Sequence, residues 1–210
     1  MIDMNTSKLK DSNHILAHRG LWNIHRQNSY QAICEAFSAG YGVETDIRLY
    51  SNEVVLSHDP VDLDSATSLQ SILTNENLVA LNIKSDGLLP YMDRQILDLS
   101  NYFFFDGSIP EIFRYKQAGL SIACRLSEFE PELPWTSPII WLDSFLSDWW
   151  NKDDIISRLT ETAFVVVVSP ELHGRDHREA WETLAAEISQ GNPNLAICTD
   201  LPDKFEKFTA

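Results

Sequence analysis

Phe164-Val165-Val166-Val167-Val168-Ser169 is short, apolar on both faces and rich in β-branched residues. A run of this kind is a strand buried on both sides, which belongs in a parallel sheet covered by helices. Working outward, comparable runs recur at His14–His18, Val43–Leu49, Leu78–Ile83, Tyr102–Phe105, Leu120–Cys124, Ile139–Leu142 and Leu195–Cys198. Helical periodicity appears between them. Ser29–Ala39 places Ile33, Ala36 and Phe37 on one face, and His177–Ile188 does the same with Ala180, Trp181, Leu184 and Ile188. Gly40 and Gly191 stand where helix C-caps are expected.

Alternating strands and amphipathic segments predict a (β/α)8 barrel of the TIM type, formed as one domain over residues 1–210. The chain is short for that fold, so the barrel must be compact, with some helices short or missing. Glu128–Ser137, followed by Pro138 and containing Pro131 and Pro134, is expected to be a loop in place of the helix after the fifth strand. Leu49–Leu56 is expected to form a hairpin turning at Ser51-Asn52 and carrying His58 beyond its second arm.

Sixteen Lys plus Arg against 31 Asp plus Glu give a net charge of −15, which argues against nucleic acid as a partner. Any phosphate-bearing ligand must find a local cluster of positive charge. Residues 1–13 lack the apolar core of a secretion signal and no long apolar run follows, so the expectation is a cytoplasmic protein with no membrane span. Cys34, Cys124 and Cys198 are far apart and outside any Cys-x-x-Cys spacing, and read as buried small hydrophobes.

Polar residues gather at the ends of the expected strands, where barrels of this class build their sites. Arg19 ends the first strand, Glu44 and Asp46 lie on the second and Lys84 ends the third, while Asp106, Arg125, Asp143, Glu171 and Asp200 follow later ones. The residue types suit a phosphate ester held beside a divalent cation. Imidazoles such as His18 and His58 shuttle protons near neutrality, guanidinium grips phosphate through a planar fork, and paired carboxylates hold hard cations. Glu44 and Asp46, two apart on a strand, share one face.

His18-Arg19-Gly20, Gln27-Asn28-Ser29 before a helix ending at Ala39-Gly40, Glu44-Thr45-Asp46-Ile47 and Val54-Val55-Leu56-Ser57-His58-Asp59 together resemble the glycerophosphodiester phosphodiesterase family. The closing Thr199-Asp200-Leu201-Pro202 resembles the Thr-Asp-x-Pro element of that family. The resemblance implies a phospholipase C-like barrel that cleaves a small glycerol phosphodiester with the help of Mg²⁺ or Ca²⁺. It implies His18 and His58 as the acid/base pair, Arg19 and Lys84 as phosphate ligands, and Glu44 and Asp46 as metal ligands.

One departure stands out. The family's Glu-x-Lys on the third strand is Asn82-Ile83-Lys84 here, which makes Asn82 the third expected ligand, with Asp106 as its possible substitute. The divergent second half of the chain leaves two other readings open. One is a phosphodiester in a cell-surface polymer or its precursor, and the other is a phosphate-ligand binding protein with weakened catalysis.

Overall fold

The structure is a computed structural model and describes residues 14–60, 66–73, 76–92, 101–130, 135–151 and 155–209. Its strands are β1 (Ile15–His18), β2 (Gly42–Tyr50), β3 (Glu53–Leu56), β4 (Thr67–Ser68), β5 (Val79–Ile83), β6 (Tyr102–Phe105), β7 (Cys124–Leu126), β8 (Ile139–Leu142), β9 (Phe164–Val168) and β10 (Leu195–Thr199). The helices are α1 (Tyr30–Ser38), α2 (Ile109–Gln117), α3 (Ile155–Thr160), α4 (Arg178–Ser189) and α5 (Pro202–Thr209).

Parallel ladders run in the order β6-β5-β2-β1-β10-β9-β8-β7. The seam between β6 and the approach to β7 is thinner. It rests on one parallel bridge, Phe104 to Ile122, in which the Phe104 N–H donates to the Ser121 carbonyl at 2.9 Å and the Ala123 N–H to the Phe104 carbonyl at 2.7 Å. β3 and β4 form an antiparallel extension of β2.

The fifth strand departs from expectation. Leu120–Cys124 supplies only the seam, while the ladder to β8 lies at Cys124–Leu126. The apolar run ends too early to mark the strand, because Arg125 faces a polar cavity while Leu126 returns to the core. The hairpin forms as expected, with Ser51 (φ 49°) and Asn52 (φ 66°) in the left-handed conformations that a two-residue turn requires. After β7, Ser127 and Glu130 exchange backbone hydrogen bonds at 3.1 and 3.2 Å in a tight turn, and residues 131–134 of the expected loop lie outside the described residues.

α1 starts where Ser29 Oγ accepts the Ala32 N–H at 3.3 Å, and buries Ala32, Ile33 and Ala36 against the barrel. Phe37, expected on that face, is only partly buried. Cys124 and Cys198 are buried, but Cys34 on α1 is half-buried, because it falls off the apolar stripe. Among the described residues no helix is long and apolar enough to cross a membrane.

Strand periodicity divides the core into two layers. Ala17, Val43, Leu81, Phe104, Leu142, Val167 and Ile197 point outward and pack with Ile33, Trp181, Leu184 and Phe205 of the helices. Leu16, Ala80, Phe103, Phe105, Trp141, Val166 and Cys198 point inward and fill the barrel. On the inward faces the next residues toward the carboxyl ends are polar, including His18, Asn82, Asp143 and Asp200. The apolar fill therefore ends at a polar mouth.

Candidate active site

A cavity of about 360 Å³ opens at that mouth, and His18, Arg19, Glu44, His58, Asn82 and Lys84 all line it. Six of the seven residues expected from the sequence thus share one space. Asp46 lies behind them. It is 1 % exposed, with Oδ2 at 2.9 Å from Arg19 Nε and Oδ1 at 3.4 Å from Lys84 Nζ.

Asn28 locks this arrangement. Its Nδ2 donates to Asp46 Oδ2 at 2.9 Å, while its Oδ1 accepts from Thr45 Oγ1 at 2.7 Å and from the Asp46 N–H at 3.2 Å. Gln27 Oε1 accepts from Arg19 Nη1 at 3.0 Å. The Gln27-Asn28-Ser29 stretch therefore holds the guanidinium, holds the acid behind it and caps α1. The sequence marks Gln27 and Asn28 only by their place in the motif, and the contacts they make here come from the fold.

Regular alternation would turn Arg19 away from His18. Instead Arg19 is left-handed (φ 58°), and so is Asp106 (φ 61°) after the inward Phe105. Non-glycine residues in this conformation are uncommon and cluster at functional sites. Here they put two consecutive side chains into one cavity at each position.

His18 Nδ1 donates to Asp200 Oδ1 at 2.7 Å, which leaves Nε2 facing the cavity, 3.8 Å from Glu44 Oε2. Burial disfavours the imidazolium, but the Asp200 hydrogen bond and the Glu44 and Asp200 charges outweigh it and leave His18 above the usual histidine value. Asp200 is a partner that sequence reading placed near the mouth without a role. Glu171 braces that segment, accepting from the Thr199 hydroxyl and from the Asp200 N–H at 3.2 Å.

Glu44 is raised to about 7, first by burial and then by Asp46, against the opposing charges of His18, Arg19 and Lys84. His58 is looser than His18. Its side chain is 46 % exposed and Nδ1 pairs with Asp59 Oδ1 at 3.0 Å.

The donor set fits a hard cation through oxygen. Glu44 Oε2, Asp46 Oδ1 and Asn82 Oδ1 are buried and accept no hydrogen bond, and Asp46 and Asn82 are direct partners across β2 and β5. The set is lean in charge, since one ligand is an amide and Lys84 lies close to Asp46. Among the described residues no group of three or more His, Cys, Asp or Glu is placed to hold a metal ion. Asp106, the possible substitute, is held at 3.0 Å by Arg125.

The far side of the cavity contains a second imidazole–carboxylate pair. His173 Nε2 donates to Asp143 Oδ1 at 2.7 Å, and Phe145 packs on its ring at 4.7 Å between centroids. Trp149 and Trp150 serve packing. Trp150 is buried, and the Trp149 indole N–H donates to the Asp143 carbonyl at 3.0 Å.

Eight parallel strands in a ring, with the polar residues at their carboxyl ends, make the chain a (β/α)8 barrel with its candidate site at the C-terminal mouth. Two solved structures share the architecture. The glycerophosphodiester phosphodiesterase of Agrobacterium tumefaciens str. C58 superposes with a TM-score of 0.66 at 14% identity, covering 93% of this chain and 98% of that one. The glycerophosphodiester phosphodiesterase of Thermotoga maritima gives 0.52 at 16% identity, over 93% and 97% of the two chains. No protein-family sequence model matches the chain, and no curated protein matches it by sequence. At these identities the likeness establishes the fold.

Proposed function

We propose that this protein is a phosphoric diester hydrolase acting on a glycerophosphodiester or a related small phosphodiester. The observation that carries the reading is the meeting of His18, His58, Arg19 and Lys84 with the open oxygens of Glu44 and Asn82 in one cavity. Likeness of fold to two glycerophosphodiester phosphodiesterases supports it.

Arg19 and Lys84, preset by Asp46, neutralise the phosphoryl oxygens and orient the ester. Stabilising charge in this way lowers the barrier because a phosphodiester anion repels its nucleophile. A hydroxyl next to the phosphate attacks phosphorus, and one imidazole accepts its proton while the other donates one to the departing oxygen. Water then opens the cyclic phosphate with the proton roles reversed. His18 suits these transfers, because Asp200 fixes its tautomer and leaves Nε2 directed at the cavity. Glu44, Asn82 and Asp46 Oδ1, which lies 3.4 Å from Lys84 Nζ, would hold Mg²⁺ or Ca²⁺, which supplies Lewis-acid polarisation of a phosphoryl oxygen when bound.

The test is turnover of glycerophosphodiesters with each cation by His18→Ala and His58→Ala. Each variant should lose about 10²–10⁴-fold in kcat while keeping its thermal transition. Full activity in both refutes the mechanism. The engagement of Asp46 by two cationic side chains favours one alternative, a phosphate-ligand binding protein. Calorimetry showing a bound phosphodiester that is never turned over would select it.

A further inference from the structure

Resting on the phosphodiesterase reading, we infer that the β6–β9 side of the cavity binds the alcohol moiety of the substrate and selects an uncharged, polyhydroxylated one. The phosphoryl group belongs on the opposite side, where Arg19, Lys84 and the open oxygens of Glu44 and Asn82 lie on or beside β1, β2 and β5. What remains for the alcohol is Asp106, Arg125, Asp143, Phe145 and His173, above the stacked rings of Phe105 and Trp141, whose centroids are 3.9 Å apart.

The chemistry of that side is specific in what it offers. Arg125 Nη1 donates to Asp106 at 3.0 Å and Nε to Glu130 at 2.5 Å, and His173 donates to Asp143 at 2.7 Å. A second phosphate would call for an unpartnered guanidinium, and Arg125 is already engaged by both Asp106 and Glu130. A quaternary ammonium is held chiefly by a cage of aromatic faces, whereas here Phe105 and Trp141 stack on each other and Phe145 packs on His173. Paired groups still present spare lone pairs and N–H donors side by side, and a hydroxyl uses both, since it donates and accepts at once. The apolar ring faces of Phe145 and Trp141 suit the C–H face of a polyol.

This wall is also held in place. Glu128 accepts the N–H groups of Phe145, Leu146 and Ser147 at 3.0, 3.0 and 3.1 Å. Arg175 donates to the Ser144 carbonyl at 2.7 Å and pairs with Asp148, and the Ser144 N–H donates to Asp143 Oδ1 at 2.8 Å. A loop fastened by so many groups is organised before the ligand arrives, which reduces the ordering cost of binding. A cavity of about 360 Å³ takes a small ester of this kind and is at the low end for ligand sites.

The experiment compares glycerophospho-myo-inositol, glycerophosphocholine and glycerophosphopropanol as substrates for the wild type, Asp143→Asn and His173→Gln, with Mg²⁺, Ca²⁺ or Mn²⁺ present. The wild type should favour the inositol ester by about tenfold or more in kcat/KM, as expected for a site built to bond hydroxyls. Both variants should lose about tenfold more on the inositol ester than on the propyl ester, through KM. Equal cleavage of all three by the wild type, preference for choline, or equal proportional losses in the variants overturns the inference and leaves the phosphodiesterase reading standing. Absence of turnover of every ester with every cation removes that reading, and the inference with it.

Discussion

Asp46→Asn keeps the shape of the side chain and a hydrogen bond to Asn28, but removes the negative charge on which Arg19 and Lys84 converge at 2.9 and 3.4 Å. Removing one partner of a buried ion pair costs about 3–5 kcal/mol, mostly because the remaining charge is left uncompensated. Arg19 and Lys84 keep 20% and 22% of their side-chain surface exposed, so partial rehydration places the cost at the lower end, about 3 kcal/mol. For a chain of this size each kcal/mol moves the melting temperature by about 2–4 °C, so a fall of about 6–12 °C is expected. The effect on anions has the opposite sign. A guanidinium and an ammonium released from Asp46 bind inorganic phosphate more tightly, so phosphate should restore more stability to the variant than to the wild type. Scanning calorimetry with and without phosphate reads both. An unchanged or higher melting temperature without phosphate would refute the role of Asp46 as anchor.

Three more outcomes are expected. Gly20→Ala should melt well below the wild type, because φ is +84° and a Cβ would lie 2.6 and 2.7 Å from the backbone C and O of Ala32; an unaltered transition would contradict this packing. Asn82→Asp adds a carboxylate to the lean donor set and should tighten Mg²⁺ or Mn²⁺ by about tenfold or more in calorimetry, and equal affinity would count against Asn82 as a ligand. Glu128 is pushed up by burial but pulled further down by its N–H donors, so its folded value lies below the unfolded one. Its stabilisation of the 145–147 loop is therefore present above the unfolded carboxylate range and lost as pH falls through the lowered value. Protection of these amides from hydrogen exchange should fall on acidification in the wild type and be low at every pH in Glu128→Gln, whereas identical pH profiles would dismiss the clamp.

Much of the barrel was legible in the amino-acid order. Strands buried on both faces, such as Phe164–Val168, identify themselves by composition alone, and β1, β2, β6, β8, β9 and β10 fall on their expected runs to within a residue or so. β7 was displaced because the polar mouth interrupts the apolar pattern at Arg125. In the site, Glu44 was readable from its spacing to Asp46 and from motif order. The partners that fix the geometry were not. Asp200 meets His18 from 182 positions away, and Asp143 meets His173 from 30, and neither separation has a period to detect.

Local pattern governs which segments become strands, which faces they bury and which residue types collect at strand ends, because side-chain alternation and hydrophobic burial act over a few residues. Closure of the ring brings distant ends together, and that alone sets who bonds to whom. It made Asp46, beyond the ligand role its spacing to Glu44 suggests, the anchor of Arg19 and Lys84, and paired Arg125 with Asp106. The left-handed backbones of Arg19 and Asp106 belong to the same category. Neither residue type demands a positive φ, so only the packed barrel, which holds Arg19 between the Glu44 carbonyl and Gly20, imposes it.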